Sequence, residues 1–271
     1  VLATLQQLIA RLARSLDTVS AVGVACAGQI DPATGTVIYA PNLGWHDVPL
    51  GARLREAFRV PVVVENDVRA AAWGEFAARG GGQGSLVAVF VGTGVGSGAV
   101  LDGRLWRGAG NAAGEVGHTQ VVPDGLPCRC GRNGCLEQYV SGSGFQRRLA
   151  AAMTAGRSSR LVDVCGGQAP KLTARDVHAA AMDGDALALE FWTDAVRLLT
   201  MATANYVTLV NPSVLVMGGG VIETVPALFA AVAAAVPELT TILAGRSLRI
   251  ERARLGDHSG LIGAATLAAA A

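Results

Sequence analysis

The stretch Leu86–Val91 is wholly apolar and runs without a polar spacer into Gly92-Thr93-Gly94-Val95-Gly96-Ser97-Gly98. Residues 99–101 are apolar again, and Asp102-Gly103 follows as a hairpin signal. A glycine loop with a strand on either side constrains the fold more than any other feature of the chain. A dinucleotide fingerprint needs strand, loop and then helix, and a Walker loop needs a Lys after its last Gly, so both are excluded. Such a loop offers successive backbone N–H groups and the Thr93 hydroxyl, which make either a tight structural turn or an anion nest for phosphate.

Other apolar runs end in a similar way. Residues 20–25 read as a strand that ends at Gly28 and a turn at Asp31-Pro32, and residues 60–65 as a buried strand ending on Asn66-Asp67. Residues 213–217 run into Gly218-Gly219-Gly220, a close-packing turn or a nucleotide-side contact, and residues 248–251 form a last strand. Helical patterns lie between them. Leu2, Leu5, Leu8, Ile9, Leu12 and Leu16 recur at helical spacing, with Arg11 and Arg14 off the stripe. Residues 70–78 read as a helix with Glu75 on its exposed side. Thr173 is a candidate N-cap for residues 174–182, and Asp183 or Asp185 for a long helix to about Val207. Residues 226–235 and 259–270 are further helices. Strands alternating with helices predict an α/β architecture, with no short-period repeat.

The 271 residues are half hydrophobic, yet no stretch reaches the ~18 uncharged apolar residues a membrane helix needs. No charged segment followed by an apolar one opens the chain as a signal peptide would, so a cytoplasmic protein is expected. With 22 basic and 21 acidic residues and no basic stripe, nucleic-acid contact is not expected.

Five cysteines is an odd count, and Cys128, Cys130 and Cys135 fall within eight residues, which disfavours a disulfide framework. Their loop is turned by Gly131 and Gly134, and His118 lies ten residues upstream. Three thiolates and one imidazole are a sufficient tetrahedral set for zinc. Redox Cys-x-x-Cys spacing is absent. Cys26 and Cys165, in apolar or small-residue surroundings, are expected to be buried thiols.

Three carboxylates stand out. Asp67 follows a buried strand, where α/β folds place ligand-contacting groups, although an N-cap for the helix at residues 68–78 is an equal reading. Glu115 sits between glycines in Gly114-Glu115-Val116-Gly117, and Glu137 follows the last cysteine by two residues. His46, His178 and His258 have no ligand-like company.

Taken in order, Ala40-Pro41-Asn42-Leu43-Gly44-Trp45, Val64-Glu65-Asn66-Asp67, the 92–98 glycine loop, Ala112-Ala113-Gly114-Glu115-Val116-Gly117-His118, Cys-x-Cys-Gly-x-x-Gly-Cys-x-Glu and Gly218-Gly219-Gly220 resemble the motifs of the ROK family (repressors, open reading frames, kinases). The resemblance runs over essentially the whole chain. Ala71-Ala72-Trp73-Gly74-Glu75 and Glu137-Gln138-Tyr139 look like its bacterial glucokinases.

The resemblance implies a ribonuclease-H-like, actin-type α/β fold of two domains with a cleft between them. The smaller would span residues 1–66, with a closing helix at about 257–271 packing on it; the larger would span residues 67–256. It implies ATP-dependent phosphorylation of a hexose, glucose favoured, with Mg²⁺ and a structural zinc. Asp67 matches the family's general base. Asn66, Glu115, His118 and Glu137 match sugar-binding positions, with Asn42 joining them. Gly92, Thr93, Gly94 and Gly96 match a phosphate loop, Gly218, Gly219 and Gly220 the adenosine side, and His118, Cys128, Cys130 and Cys135 the zinc ligands. A homodimer or homotetramer is implied, while the sugar, and polyphosphate in place of ATP, stay open.

Family kinases open with a strand pair bearing Asp-x-Gly-Gly-Thr, and this chain begins at the helix that follows. The expectation is therefore a fragment, or a member that binds sugar but phosphorylates it poorly. Ser97, where a glycine is usual, is a lesser departure. The alternative function is the sugar-sensing effector domain of a family regulator.

Overall fold

The computed structural model describes residues 2–14 and 18–270. Its elements follow the chain as α1 (Leu2–Ala13), β1 (Val22–Cys26), β2 (Gln29–Asp31), β3 (Thr36–Ala40), β4 (Trp45–Val48), α2 (Leu50–Phe58), β5 (Val62–Asn66) and α3 (Asp67–Ala77). Next come β6 (Leu86–Val91), β7 (Val95–Leu101), β8 (Arg104–Trp106), α4 (Glu137–Val140), α5 (Gly142–Thr154), α6 (Arg160–Val164), α7 (Ala174–Met182) and α8 (Ala186–Val210). The chain ends with β9 (Val214–Gly218), α9 (Gly220–Thr224), α10 (Pro226–Leu239), α11 (Ile242–Ser247), β10 (Arg249–Arg252) and α12 (Ser259–Ala269). Leu16, the last position of the expected N-terminal stripe, lies outside the described residues. Among the described residues, no helix is long and apolar enough to cross a membrane.

Two compact units share the chain. The first takes residues 1–84, 98–114 and 254–271. In it β1 and β5 pair in parallel from Val22↔Val62 to Cys26↔Asn66, and β2, β3 and β4 form an antiparallel sheet. Ile30, Val37, Ala40, Leu50, Leu54 and Val64 make its core together with Val22, Cys26 and Val62. Helix α12 lies so close to α3 that a Cβ on Gly263 would overlap the carbonyl of Ala70, and one on Gly74 the carbonyl of Ser259. Backbone-to-backbone packing of this kind leaves room for nothing larger than glycine.

The seam explains a correction. Glu75, expected on the exposed side of its helix, is fully buried. Its carboxylate accepts from the N–H of Arg254 (2.9 Å) and Leu255 (2.9 Å), from Ser259 Oγ (2.9 Å) and from Arg79 Nη1. These partners, Arg79 apart, come from some 180 residues away, so no local pattern marks the position.

The second unit takes residues 85–97 and 115–253. Here β10, β9 and β6 are parallel neighbours, Arg249↔Val214 and Leu86↔Val214 setting the register. Strand β7 is next in the sheet; the chain leaves the unit within it, and its later half pairs antiparallel with β8. The helices start where side chains cap them. Thr173 and Asp176 form a capping box on α7, and Asp185, not Asp183, caps α8 through Ala188 N–H. Helix α8 runs to Val210, past the expected end, and closes on left-handed Asn211; α10 continues beyond residue 235 to Leu239. Cys26 and Cys165 are buried, as expected.

Candidate active site and metal knuckle

In the first unit the chemistry gathers where β5 turns into α3. The N-cap is Asn66, whose Oδ1 accepts from Val68 and Arg69 N–H (both 3.1 Å), while its Nδ2 donates to Gly28 O (3.2 Å). The capping role weighed for Asp67 thus falls to its neighbour, and Asp67 is the first helical residue. Its Oδ1 accepts from Val68 N–H at 3.0 Å. Burial raises the Asp67 carboxyl above the ordinary aspartate value. The Val68 N–H, the Arg69 charge and the Asn66 side chain pull the other way without cancelling it.

Beneath it lies a buried ion pair that the motif reading missed. Glu65, 1 % exposed, accepts from Arg69 Nε at 2.9 Å and Arg107 Nε at 2.7 Å, and from Asn66 N–H at 2.8 Å. The i,i+4 spacing of Glu65 and Arg69 was the available signal. Asn42 sits exposed on a 3-10 turn at Pro41–Leu43.

In the second unit the glycine loop is shorter than the sequence suggests. Strand β7 already begins at Val95, so Gly96, Ser97 and Gly98 are extended backbone and only residues 92–94 turn. Glu137 Oε2 accepts the Val95 N–H at 3.0 Å, and a Cβ on Gly94 would lie 2.6 Å from that same oxygen. The start of α5 holds the other side of the turn, with Gly142 N–H on Gly92 O (2.9 Å) and Ser143 N–H on Thr93 O (3.3 Å). Thr93 is exposed. Ser97 is buried and neighbours the Tyr206 phenol on α8. Burial pushes that phenol up while Ser97 opposes the shift. Because β6 and β9 are parallel, with Phe90 opposite Gly218, Gly218, Gly219 and Gly220 end beside the same turn. Gly219 has φ +88°, left-handed backbone that a side chain disfavours.

The knuckle follows. Ligand atoms of His118, Cys128, Cys130 and Cys135 all lie within 4.8 Å of one another, with Cys128 Sγ 3.7 Å from His118 Nδ1 and Cys130 Sγ 3.5 Å from Cys135 Sγ. A tetrahedron with Zn–S near 2.3 Å separates its sulfurs by about 3.8 Å. The donor set therefore fits zinc in both chemistry and spacing, and all five cysteines are free thiols. Burial, reinforced by the neighbouring sulfurs, pushes the Cys135 thiol up to about 12. Burial also opposes ionisation of Cys130, but the Arg132 backbone and the other two thiols hold it below the usual value. A cation among the sulfurs would favour all three thiolates. Gln138, 3 % exposed, donates from Nε2 to Cys128 Sγ at 3.2 Å.

The structure thus brings Asn66 and Asp67 together in one unit. In the other it brings together Glu137, the residue 92–94 turn, Gly218 to Gly220 and the knuckle. Glu115 is exposed, one turn ahead of His118, whose N–H donates to Glu115 O at 3.0 Å.

The sequence profile of the ROK family matches residues 1–271. A glucokinase of Halalkalibacterium halodurans is 37 % identical over 252 residues, covering 89 % of this chain and 74 % of the relative. The structure of a ROK glucokinase from Streptomyces griseus in complex with glucose and AMPPNP superposes with TM-score 0.77 at 32 % identity, over 99 % of this chain and 88 % of that one. A ROK transcriptional regulator, homologous to the Escherichia coli MLC protein, superposes with TM-score 0.81 at 29 % identity, over 97 % and 67 %. Motif order, knuckle geometry and overall fold agree with the profile match, and the chain belongs to the ROK family.

Proposed function

We propose that this chain phosphorylates a hexose hydroxyl with ATP, as a kinase of the glucokinase type, and that Asp67 is the general base. The observation that carries the reading is the Asp67 carboxylate, fixed on the first residue of a capped helix and made more basic by burial. A carboxylate of raised basicity, presented at a strand's C-terminal end, suits removal of a proton from an attacking alcohol. Kinship with glucokinases supports the same reading.

The hydrogen bonds already made limit what each residue can offer a sugar. The Asn66 oxygen is committed to its helix, so Asn66 serves a hydroxyl through its remaining Nδ2 proton. Glu137 gives one oxygen to Val95 N–H and keeps the other for a hydroxyl. His118 turns Nδ1 to the sulfurs and keeps Nε2 for sugar. Asn42 and Glu115 complete the proposed sugar set. The backbone at Gly92, Thr93, Gly94 and Gly96 would cradle phosphate, and Gly218, Gly219 and Gly220 the adenosine side. Mg²⁺, when bound with ATP, would neutralise phosphate charge. Zinc on His118, Cys128, Cys130 and Cys135 would act as a structural staple that orients the pocket. A reaction that draws on ATP would fit a cytoplasmic setting.

The test is ADP release by the full-length protein across a panel of hexoses. Sugar-dependent turnover with glucose favoured is expected. Sugar binding without turnover would favour the effector-domain reading, towards which the likeness to a regulator points.

A further inference from the structure

Between the knuckle and the glycine turn lies a chain of side chains that the proposed reaction does not itself use. Arg147 on α5 donates from Nε to Gln138 Oε1 at 2.9 Å, and from Nη1 to Ser143 Oγ at 3.1 Å. Gln138 on α4 donates from Nε2 to Cys128 Sγ at 3.2 Å. Ser143 in turn donates its N–H to Thr93 O on the turn. One guanidinium therefore reaches towards the sulfur cluster with one nitrogen and towards the glycine turn with another.

We infer that Arg147 is a positioning residue for the metal centre, acting through Gln138 to aim an N–H at the Cys128 thiolate. This rests on the reading of the knuckle as a metal site. The reasoning starts from donor inventory. A guanidinium has donors only, so the face of Gln138 turned to Arg147 must be its oxygen, and the amide nitrogen is left facing the sulfur. A reversed amide would oppose N–H to N–H at one end and oxygen to sulfur at the other. Gln138 alone has no such preference between its two ends.

Charge strengthens the arrangement. The guanidinium polarises the carboxamide, and an N–H so polarised is a better donor to an anionic sulfur. Gln138 is buried and Arg147 partly so, which makes these bonds stronger and a missing one more costly than at the surface. Arg147 Nη2 is itself buried without a partner. A buried donor without a partner forfeits its bond to water and is costly. A residue kept only to fill space would not carry that cost; a fork that must meet Gln138 and Ser143 at once would.

The test uses metal-stripped full-length protein titrated with Co²⁺ alone against a competing chelator, reading affinity and the thiolate-to-cobalt charge-transfer band. Gln138→Met keeps the size but removes the donor. It is expected to weaken Co²⁺ binding ~10- to 100-fold, the scale for losing an outer hydrogen bond to a metal ligand. The band should move to lower energy, because the sulfur regains electron density. Arg147→Ala is expected to move both readouts in the same direction by less, Arg147→Lys less still. In the Gln138→Met background Arg147→Ala should add nothing further, since its route to the sulfur is gone.

Equal effects of Arg147→Ala in both backgrounds would overturn the inference and leave Arg147 a packing residue. So would an unmoved band in Gln138→Met when the parent protein shows the band normally. No charge-transfer band in the parent protein would overturn the metal reading itself, and this inference with it.

Discussion

The two ends of α3 carry two carboxylates under opposite regimes. Both lose solvation, which by itself raises a carboxyl pKa. At Glu75 two backbone N–H groups, the Arg79 guanidinium and the Ser259 hydroxyl outweigh burial, and the group sits below the ordinary glutamate value. At Asp67 the donors are fewer and burial wins. A buried carboxylate surrounded by donors is a structural fastener. One left short of donors keeps the basicity that the proposed proton transfer would use.

The sharpest way to break that comparison is Asp67→Asn, which keeps shape and removes basicity. Phosphorylation should fall ~10²- to 10⁴-fold, the scale of general-base loss, while calorimetry should find sugar affinity little changed. Near-normal turnover would place the base elsewhere.

Glu75→Ala comes next. It removes the buried carboxylate that the Arg79 guanidinium, two backbone N–H groups and the Ser259 hydroxyl share, and should lower unfolding free energy by about 3–5 kcal/mol, read from denaturant midpoints. Because the folded value of Glu75 is depressed, its contribution is present above the unfolded glutamate value and is lost as pH falls through the folded one. The parent should therefore lose its advantage over the variant in acid. An advantage independent of pH would mean that Glu75 acts by packing alone.

The smallest effect has the opposite sign. The folded value of Asp67 is raised, so its contribution to stability is present below the unfolded aspartate value and lost as pH rises through the folded one. Above its folded value the ionised carboxylate works against the fold. Asp67→Asn should then raise the thermal midpoint at pH 7, with the gain disappearing in acid. A lowered midpoint at pH 7 would contradict the contrast with Glu75.

Much of this was legible along the chain because its causes are local. Apolar runs ending in glycine, the Thr173 cap and the crowded cysteines each depend on residues a few positions apart, and backbone geometry turns such spacing directly into structure. The three-stranded β2-β3-β4 sheet was not legible, since strands of three to five residues leave too short an alternation to read. The shortness of the 92–94 turn was hidden as well, because glycine suits both a turn and an extended strand that another backbone approaches closely.

What the sequence by itself determined was the order of the longer strands and helices, and which side chains are candidates to bind a metal, a phosphate or a sugar. Only the tertiary structure decided the state of those side chains. Asn66 and not Asp67 caps α3, Glu75 is sealed beneath α12, and Gln138 faces sulfur because Arg147 faces its oxygen. The reason is that pKa and hydrogen-bond role depend on donors and solvent within a few ångströms, and at Glu75 most of those donors lie some 180 residues away.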